Sequence, residues 1–253
     1  MAASALIFLA GAAGAPEAST WALVLGRVPQ LLTGSVAGWP VTGGFALNVM
    51  MSIAAMAIGT VFGVVLFLGM ASRLVVVRQA ARFATGFFRN APWLVLLFST
   101  LYLLPFTIHI GGLAIPLPPP VKAIAGLSLP IGANLAEIIR GAVQSIHSGQ
   151  WESARSLGYG PFATYRHVIL PQALRRMIPA YMTLYAGVVI GTSLASVVGV
   201  DEMLNVLRNI LATQSEREIL AFYFVVFMIF FLFCYPIAQI ARRLERRLSG
   251  DAL

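Results

Sequence analysis

Residues 149–171, GQWESARSLGYGPFATYRHVILP, decide how this chain is read. They lie between apolar segments long enough to cross a bilayer, yet they have the punctuation of two short water-facing helices. Trp151, Ala154 and Leu157 recur at i, i+3 and i+6 and mark one apolar face of a first helix. Gly158 supplies a left-handed C-terminal cap, and Gly160-Pro161 forces a turn. A second helix repeats the pattern with Phe162, Tyr165 and Val168 or Ile169, and is expected to stop at Leu170-Pro171. A basic, amphipathic elbow between two spans offers a socket to something in the cytoplasm.

Outward from the elbow, the composition is that of a lipid-dissolved protein. The chain is 59% hydrophobic and 10% charged, with a mean hydropathy of +0.86. A soluble domain of this length has no room to hide so much apolar surface. The net charge of +8 would suggest nucleic acid in a soluble protein. Here the basic residues flank apolar runs, which is the membrane pattern. The single cysteine, Cys234, excludes a disulfide framework and a cysteine-based zinc site.

About five spans of roughly twenty residues are expected. Residues 1–16 are small and apolar, either a lead-in or a signal peptide cleaved near Ala12-Ala13-Gly14-Ala15. Residues 21–32, broken by Arg27 and Pro29, read as an interfacial helix with Trp21 at headgroup level. The first span covers residues 42–70, with Ala55, Gly59 and Gly63 as a small-residue stripe for close helix approach. Arg73, Arg78, Arg82 and Arg89 follow, and a second span runs through Trp93 to Leu104. Residues 105–122 read as a tight apolar connection. The third span runs from Pro119 to about Ile139, bent at Pro130. The fourth covers residues 177–200, with Gly187, Gly191, Ala195 and Gly199 as a second small-residue stripe. Residues 201–218 read as an acidic loop. The last span, residues 219–240, is rich in phenylalanine and faces lipid along much of its length. The tail RRLERRL (residues 242–248) is a basic juxtamembrane helix.

Orientation follows from the arginines. Those after the first span, those of the elbow (Arg140, Arg155, Arg166, Arg175, Arg176) and those of the tail fall on one side. Only Arg27, Lys122, Arg208 and Arg217 fall on the other. The crowded side is expected to be cytoplasmic, with the N-terminus outside and the C-terminus inside.

Several chemistries are excluded. Lys122 is the only lysine, and Pro118, Pro119, Pro120 and Val121 precede it. No glycine-rich phosphate loop ending in Lys-Ser or Lys-Thr exists, so any ATP is handled by another subunit. His109, His147 and His167 are scattered and make no metal-ligand spacing. No Gly-x-Ser-x-Gly elbow is present.

The elbow resembles the EAA loop of binding-protein-dependent ABC importer permeases. Glu152, Ser153, Ala154, Gly158, Val168 and Leu170-Pro171 sit at its spacing, with Ser153 where a second alanine is usual and Val168 where isoleucine is usual. The flanks AEIIRGAVQSI (residues 136–146), ILPQALRRMIP (169–179), TSLASVVGVDEM (192–203) and FFRNAPWLVLLF (87–98) resemble the polar amino acid subfamily. The resemblance covers roughly residues 40 to 248. It implies an all-α integral membrane protein with the type I importer permease fold, in the bacterial inner membrane. Residues 1–40 would be an extracytoplasmic lead-in, 41–248 the permease domain with its coupling loop at 147–171, and 249–253 a cytoplasmic tail. Implied partners are a second permease subunit, identical or paralogous, two ATPase subunits that bind ATP and Mg2+, and a periplasmic solute-binding protein. No cofactor is expected in this chain.

By the same resemblance, Trp151, Glu152, Ala154, Arg155, Leu157, Gly158, Leu170 and Pro171 couple to the ATPase. From the residues alone, Glu152 either pairs with Arg155 on a solvated face or lies in a partner's groove. Glu137 and Arg140, at i, i+3, are either an interfacial ion pair or part of a solute gate. Thr192, Ser193, Ser196 and Asn90 either satisfy neighbouring backbone or line a path. The subfamily often has Lys-Asp before Thr-Ser-Leu; this chain has Ile190-Gly191, which leaves an amine- or opine-like solute open. A stand-alone secondary transporter or channel and a membrane-embedded enzyme are the rival readings. The first calls for titratable groups within the spans, of which this chain has few, and the second lacks a catalytic constellation.

Overall fold

Backbone amides in hydrocarbon have no water to bond, so long uncharged runs must satisfy themselves as helices. The computed structural model describes residues 18–110, 112–212 and 216–250. In chain order they form α1 (Ala18–Gly26), α2 (Val28–Thr33), α3 (Gly44–Met70), α4 (Val75–Asn90) and α5 (Trp93–Leu103). A hairpin, β1 (Thr107–Ile110) with β2 (Leu113–Pro116), leads into α6 (Pro119–Gln144). The elbow follows as α7 (Ser148–Ser156), α8 (Pro161–Thr164) and a π-turn, Tyr165–Ile169. Then come α9 (Leu170–Gly191), a 3-10 helix (Thr192–Val198), α10 (Met203–Leu211) and α11 (Glu216–Gly250). The candidate cleavage site and the last three residues lie outside the described residues.

Among the described residues, four helical stretches are long and apolar enough to cross a membrane: Gly44–Met70, Pro119–Gln144, Pro161–Val198 and Glu218–Leu248. The remaining expected span, the second in chain order, is a shorter apolar helix, α5, of 11 residues. It rises only ~16 Å, because Pro92 interrupts helix between α4 and α5.

Four expectations need correction. The connection at residues 105–122 contains an antiparallel hairpin, with Ile108 opposite Ile115 and His109 opposite Ala114. The elbow's second helix does not stop at Leu170-Pro171 but runs on into α9. The fourth span therefore begins well before residue 177, and its C-terminal end tightens to 3-10 geometry from Thr192. The acidic loop at 201–218 contains α10, opened by a capping glutamate.

The chain divides into two compact units. Among the described residues, the first holds those up to Met50 together with those of Ser193–Phe233. Its core includes Val24, Leu31, Met203, Leu207 and Phe222, all fully buried. Phe222 thus turns inward rather than to lipid. Phe45 at the start of α3 stands edge-on to Phe230 and Phe233, with ring centroids 5.2 and 5.3 Å away. Asn48 is buried and donates to Glu202, also buried, at 2.8 Å.

Among the described residues, the second unit comprises those of Met51–Thr192 and Cys234–Leu253. Helix α6 runs through its middle, packed on α4, α5 and α9. The first glycine stripe does what the spacing predicts. A Cβ on Gly59 would lie 2.5 Å from Ile131 Cγ2, and one on Gly132 would lie 2.9 Å from the Gly59 oxygen. The second stripe is only partly used. Gly191 admits Trp93, whose ring would sit 2.5 Å from an added Cβ, whereas Gly187 meets nothing within 4 Å. Lys122 is buried rather than solvated at a membrane face. Its ammonium donates to the oxygens of Leu101 and Leu104 at 3.0 and 2.7 Å and lies 3.5 Å over the Phe106 ring. It thereby serves the carbonyls that helix α5 leaves unpaired at its end.

Candidate functional site

The elbow is built from local hydrogen bonds that its sequence supplies. His147 caps α7, its Nδ1 accepting from Gly149 N at 3.1 Å. At the other end Gly158 has φ +78°. Its N–H donates to the Arg155 oxygen at 2.9 Å, and the N–H of Tyr159 donates to the Ala154 oxygen at 3.0 Å. Those paired bonds define a Schellman motif, which needs a residue free to adopt left-handed geometry. Pro161 then opens α8 at a position where a missing N–H costs nothing.

Pro171 explains the π-turn. In a regular α-helix its ring would strike the carbonyl of residue 167, and it has no N–H to donate. One extra residue absorbs the misfit, so that Leu170 N bonds the Tyr165 oxygen. Gln172 tightens the junction, donating to the Val168 oxygen at 2.8 Å and to Gln150 Oε1 at 3.2 Å. Arg176 donates to the Ser145 oxygen at 2.7 Å. The elbow is thus tied to α9 and to the end of α6.

Its two faces differ. Ala154, Thr164, Ile169 and Ala173 are buried, and Trp151 stands edge-on to Tyr165 at 5.5 Å. Leu157, expected on the same apolar face as Trp151 and Ala154, is 77% exposed, as is Phe162. The helix ends at Ser156, so Leu157 swings out with the turn. Glu152, Arg155, Leu170 and Pro171 are exposed as well. Among the described residues the ion pairs are those of Glu137, so Glu152 is not held by Arg155.

A second feature lies in the same unit. A cavity of about 470 Å3 is lined by Arg82, Arg89, Asn90, Glu137, Arg140 and Tyr165, among others. Arg140 grips Glu137 through Nε at 3.1 and 3.2 Å and through Nη2 at 2.6 Å. Arg89 lies 3.6 Å from the same carboxylate. Asn90 donates to the Gly86 oxygen at 2.7 Å. Thr192 is not on this wall. It is buried, and its hydroxyl donates to the Val189 oxygen at 2.6 Å. Ser193 and Ser196 follow in the 3-10 helix, and Ser196 is buried.

Asn48 and Glu202 were not legible as a site. Glu202 Oε1 accepts from Leu204 N and Asn205 N at 2.8 and 3.0 Å, an N-cap for α10. An acid just before the amphipathic run MLNVLRNIL was the available signal. Burial pushes the Glu202 carboxyl up from its ordinary value, against bonds from Asn48, Leu204 and Asn205 and the Arg208 charge.

Helical stretches long and apolar enough to cross a membrane, joined by a braced and exposed elbow, fit the membrane subunit of a transporter. The chain belongs to the family of binding-protein-dependent transport system inner membrane components, the permeases of ABC importers, whose model matches residues 59–250. It is 30% identical over 204 residues to the probable amino-acid ABC transporter permease protein YckA of Bacillus subtilis (strain 168), covering 81% of this chain and 87% of that one. It is 30% identical over 212 residues to the L-cystine transport system permease protein TcyB of the same organism, covering 83% and 88%. An octopine transport system permease protein, OccM of Rhizobium radiobacter, is 32% identical over 182 residues, covering 71% and 74%. The fold is that of a crystallised amino acid ABC transporter chain, with a TM-score of 0.67 at 24% identity over 80% of this chain and 91% of that one. Family membership sets aside the stand-alone transporter and the membrane enzyme.

Proposed function

We propose that this chain is the permease of an importer for a polar amino acid or a close relative, and that its elbow is the part a cytoplasmic ATPase grips. The carrying observation is the elbow's two faces. The inner one is fixed by Ala154, Thr164 and Ile169, while the outer presents two large apolar side chains, Leu157 and Phe162, each 77% exposed. Exposed apolar groups on a braced turn, ringed by Glu152, Arg155 and Arg166, match what a complementary groove takes. The ATPase subunits bind ATP and Mg2+ and hydrolyse it, and this chain supplies no catalytic group. Two permease subunits, identical or paralogous, pair in the membrane, and a solute-binding protein delivers from the periplasm. The elbow and C-terminus face the cytoplasm, and the N-terminus lies outside.

ATP binding draws the ATPases together, and each elbow follows as a lever continuous with α9. The spans then alternate between inward-open and outward-open states, which requires only that each partner contact the two states differently. The cavity beside Asn90 and Glu137 is the candidate solute path from the inner side. The amino acid class rests on relatives such as YckA and TcyB. The octopine permease OccM supports an opine-like solute as a second reading, consistent with uncharged Ile190-Gly191.

Co-purification with the ATPase tests the docking role. Glu152→Lys and Gly158→Val are expected to leave the spans inserted and to abolish recovery of the ATPase. Undiminished recovery in both variants contradicts the reading.

A further inference from the structure

Helix α11 is 35 residues long, ~52 Å at 1.5 Å per residue, against a hydrocarbon core of ~30 Å. Its apolar run ends near Ile240, so residues 242–247 fall ~3–10 Å beyond it, at phospholipid headgroup depth. Four of those six residues are arginines.

Their placement on the helix is not random. Phe224, Phe231, Tyr235, Arg242 and Arg246 recur at spacings of 7, 4, 7 and 4 and share one face. Leu232, Gln239 and Arg243 flank that face. Phe224, Phe231, Leu232 and Tyr235 are each at least 41% exposed, and Gln239 donates to the Tyr235 hydroxyl at 2.6 Å. Ala241, by contrast, is buried and looks the other way. The exposed side of α11 is therefore apolar through the bilayer and becomes cationic at its end. Arg242, Arg243, Arg246 and Arg247 are all exposed, and among the described residues none of them has a carboxylate partner.

We propose that this end of α11 binds an acidic glycerophospholipid. The acyl chains lie along Phe231, Leu232 and Tyr235, and the anionic headgroup sits on Arg242, Arg243, Arg246 and Arg247. Charge complementarity and continuity select this occupant. A solvated basic tail needs no aromatic stripe above it, and a purely lipid-facing helix needs no four unpaired guanidiniums. The site depends only on α11 crossing the membrane and is separate from the docking and solute assignments.

The test is lipid retention by the purified full-length assembly, read by mass spectrometry of co-purified phospholipid. Arg242→Gln, Arg243→Gln, Arg246→Gln and Arg247→Gln are combined, and the matching four-lysine variant is a charge-preserving control. Wild type and the lysine variant are expected to enrich phosphatidylglycerol over phosphatidylethanolamine. Each charge removed lowers that enrichment about fivefold. In nanodiscs of neutral lipid, added phosphatidylglycerol raises the melting temperature of wild type but not of the glutamine variant, and inorganic phosphate does not substitute. Equal acidic-lipid retention by wild type and the glutamine variant overturns the proposal. So does loss of the ATPase from the glutamine variant with lipid retention unchanged, since the arginines would then be a protein contact.

Discussion

Asn48 and Glu202, 154 positions apart, are joined at 2.8 Å with both side chains buried. Asn48 spends both ends of its amide there. Its Nδ2 donates to Glu202 Oε2, and its Oδ1 accepts from Met203 N at 3.1 Å. The start of α3 is thereby pinned to the start of α10, with Gly44 N on the Asp201 oxygen at 3.0 Å beside it. Asn48→Ala strips a buried carboxylate of one donor and is expected to destabilise the first unit by ~1–3 kcal/mol. Thermal unfolding in detergent reads the effect, and an unchanged midpoint would show the pair to be idle.

The same carboxyl sets a pH dependence. Its folded pKa lies above the ordinary 4.5 because of burial. A carboxyl in that condition holds its proton more tightly when folded, so its contribution to stability falls as pH rises from the ordinary value through the raised one. Glu202→Gln keeps an oxygen for Leu204 N and Asn205 N but cannot ionise. Melting temperatures from roughly pH 5 to 8 are expected to fall more for wild type than for Glu202→Gln. Parallel profiles contradict this.

Much of the elbow was legible before any coordinates, because glycine and proline report backbone geometry directly. Gly158 sits in the left-handed region, and Pro161 starts a helix, as their positions foretold. Pro171 was ambiguous, since a proline either ends a helix or bends it, and only the π-turn at Tyr165–Ile169 shows which. The hairpin carried a signal too. Three of the four residues at 107–110 are β-branched and Gly111-Gly112 follow them, but the apolar composition of the segment is equally that of a connection between spans. Glu202 and Lys122 were unreadable for another reason. Their partners are Asn48 in one case and the carbonyls of Leu101 and Leu104 in the other, and such pairings exist only after folding. For the candidate path, Asn90 and Glu137 share a cavity, while the Thr192 hydroxyl donates to the Val189 oxygen. Spacing alone does not separate those outcomes.

At Gly132, α3 and α6 approach closely in the second unit. A Cβ there would lie 2.5 Å from Phe62 Cδ1, 2.9 Å from the Gly59 oxygen and 3.1 Å from Gly63 N. Backbone on two sides cannot yield cheaply, so Gly132→Ala is expected to cost ~1–3 kcal/mol. Gly187→Ala meets nothing within 4 Å and serves as the control. Equal thermal stability of the two variants would show that the helices part without penalty.

Lys122→Met keeps an unbranched side chain, one heavy atom shorter, and removes its charge. Two carbonyls at the end of α5 then lose their donor, and the Phe106 ring loses its cation. A loss of ~1–3 kcal/mol is expected, with faster hydrogen exchange at the end of α5. Wild-type exchange there would show that water replaces the amine freely.

The central claim is that motion enters through the elbow. Gly158 meets nothing within 4 Å, so Gly158→Ala adds no clash and acts only through its φ of +78°, at ~1–2 kcal/mol. Gly158→Val adds β-branching to that penalty and leaves the spans untouched. The most direct measurement is solute uptake into proteoliposomes that hold the complete assembly with ATP supplied on the cytoplasmic side. The account predicts uptake by wild type that stops without ATP or without the ATPase subunits, falls with Gly158→Ala and is lost with Gly158→Val. Full-rate uptake by the Gly158→Val assembly, or by this chain with no ATPase present, would contradict it.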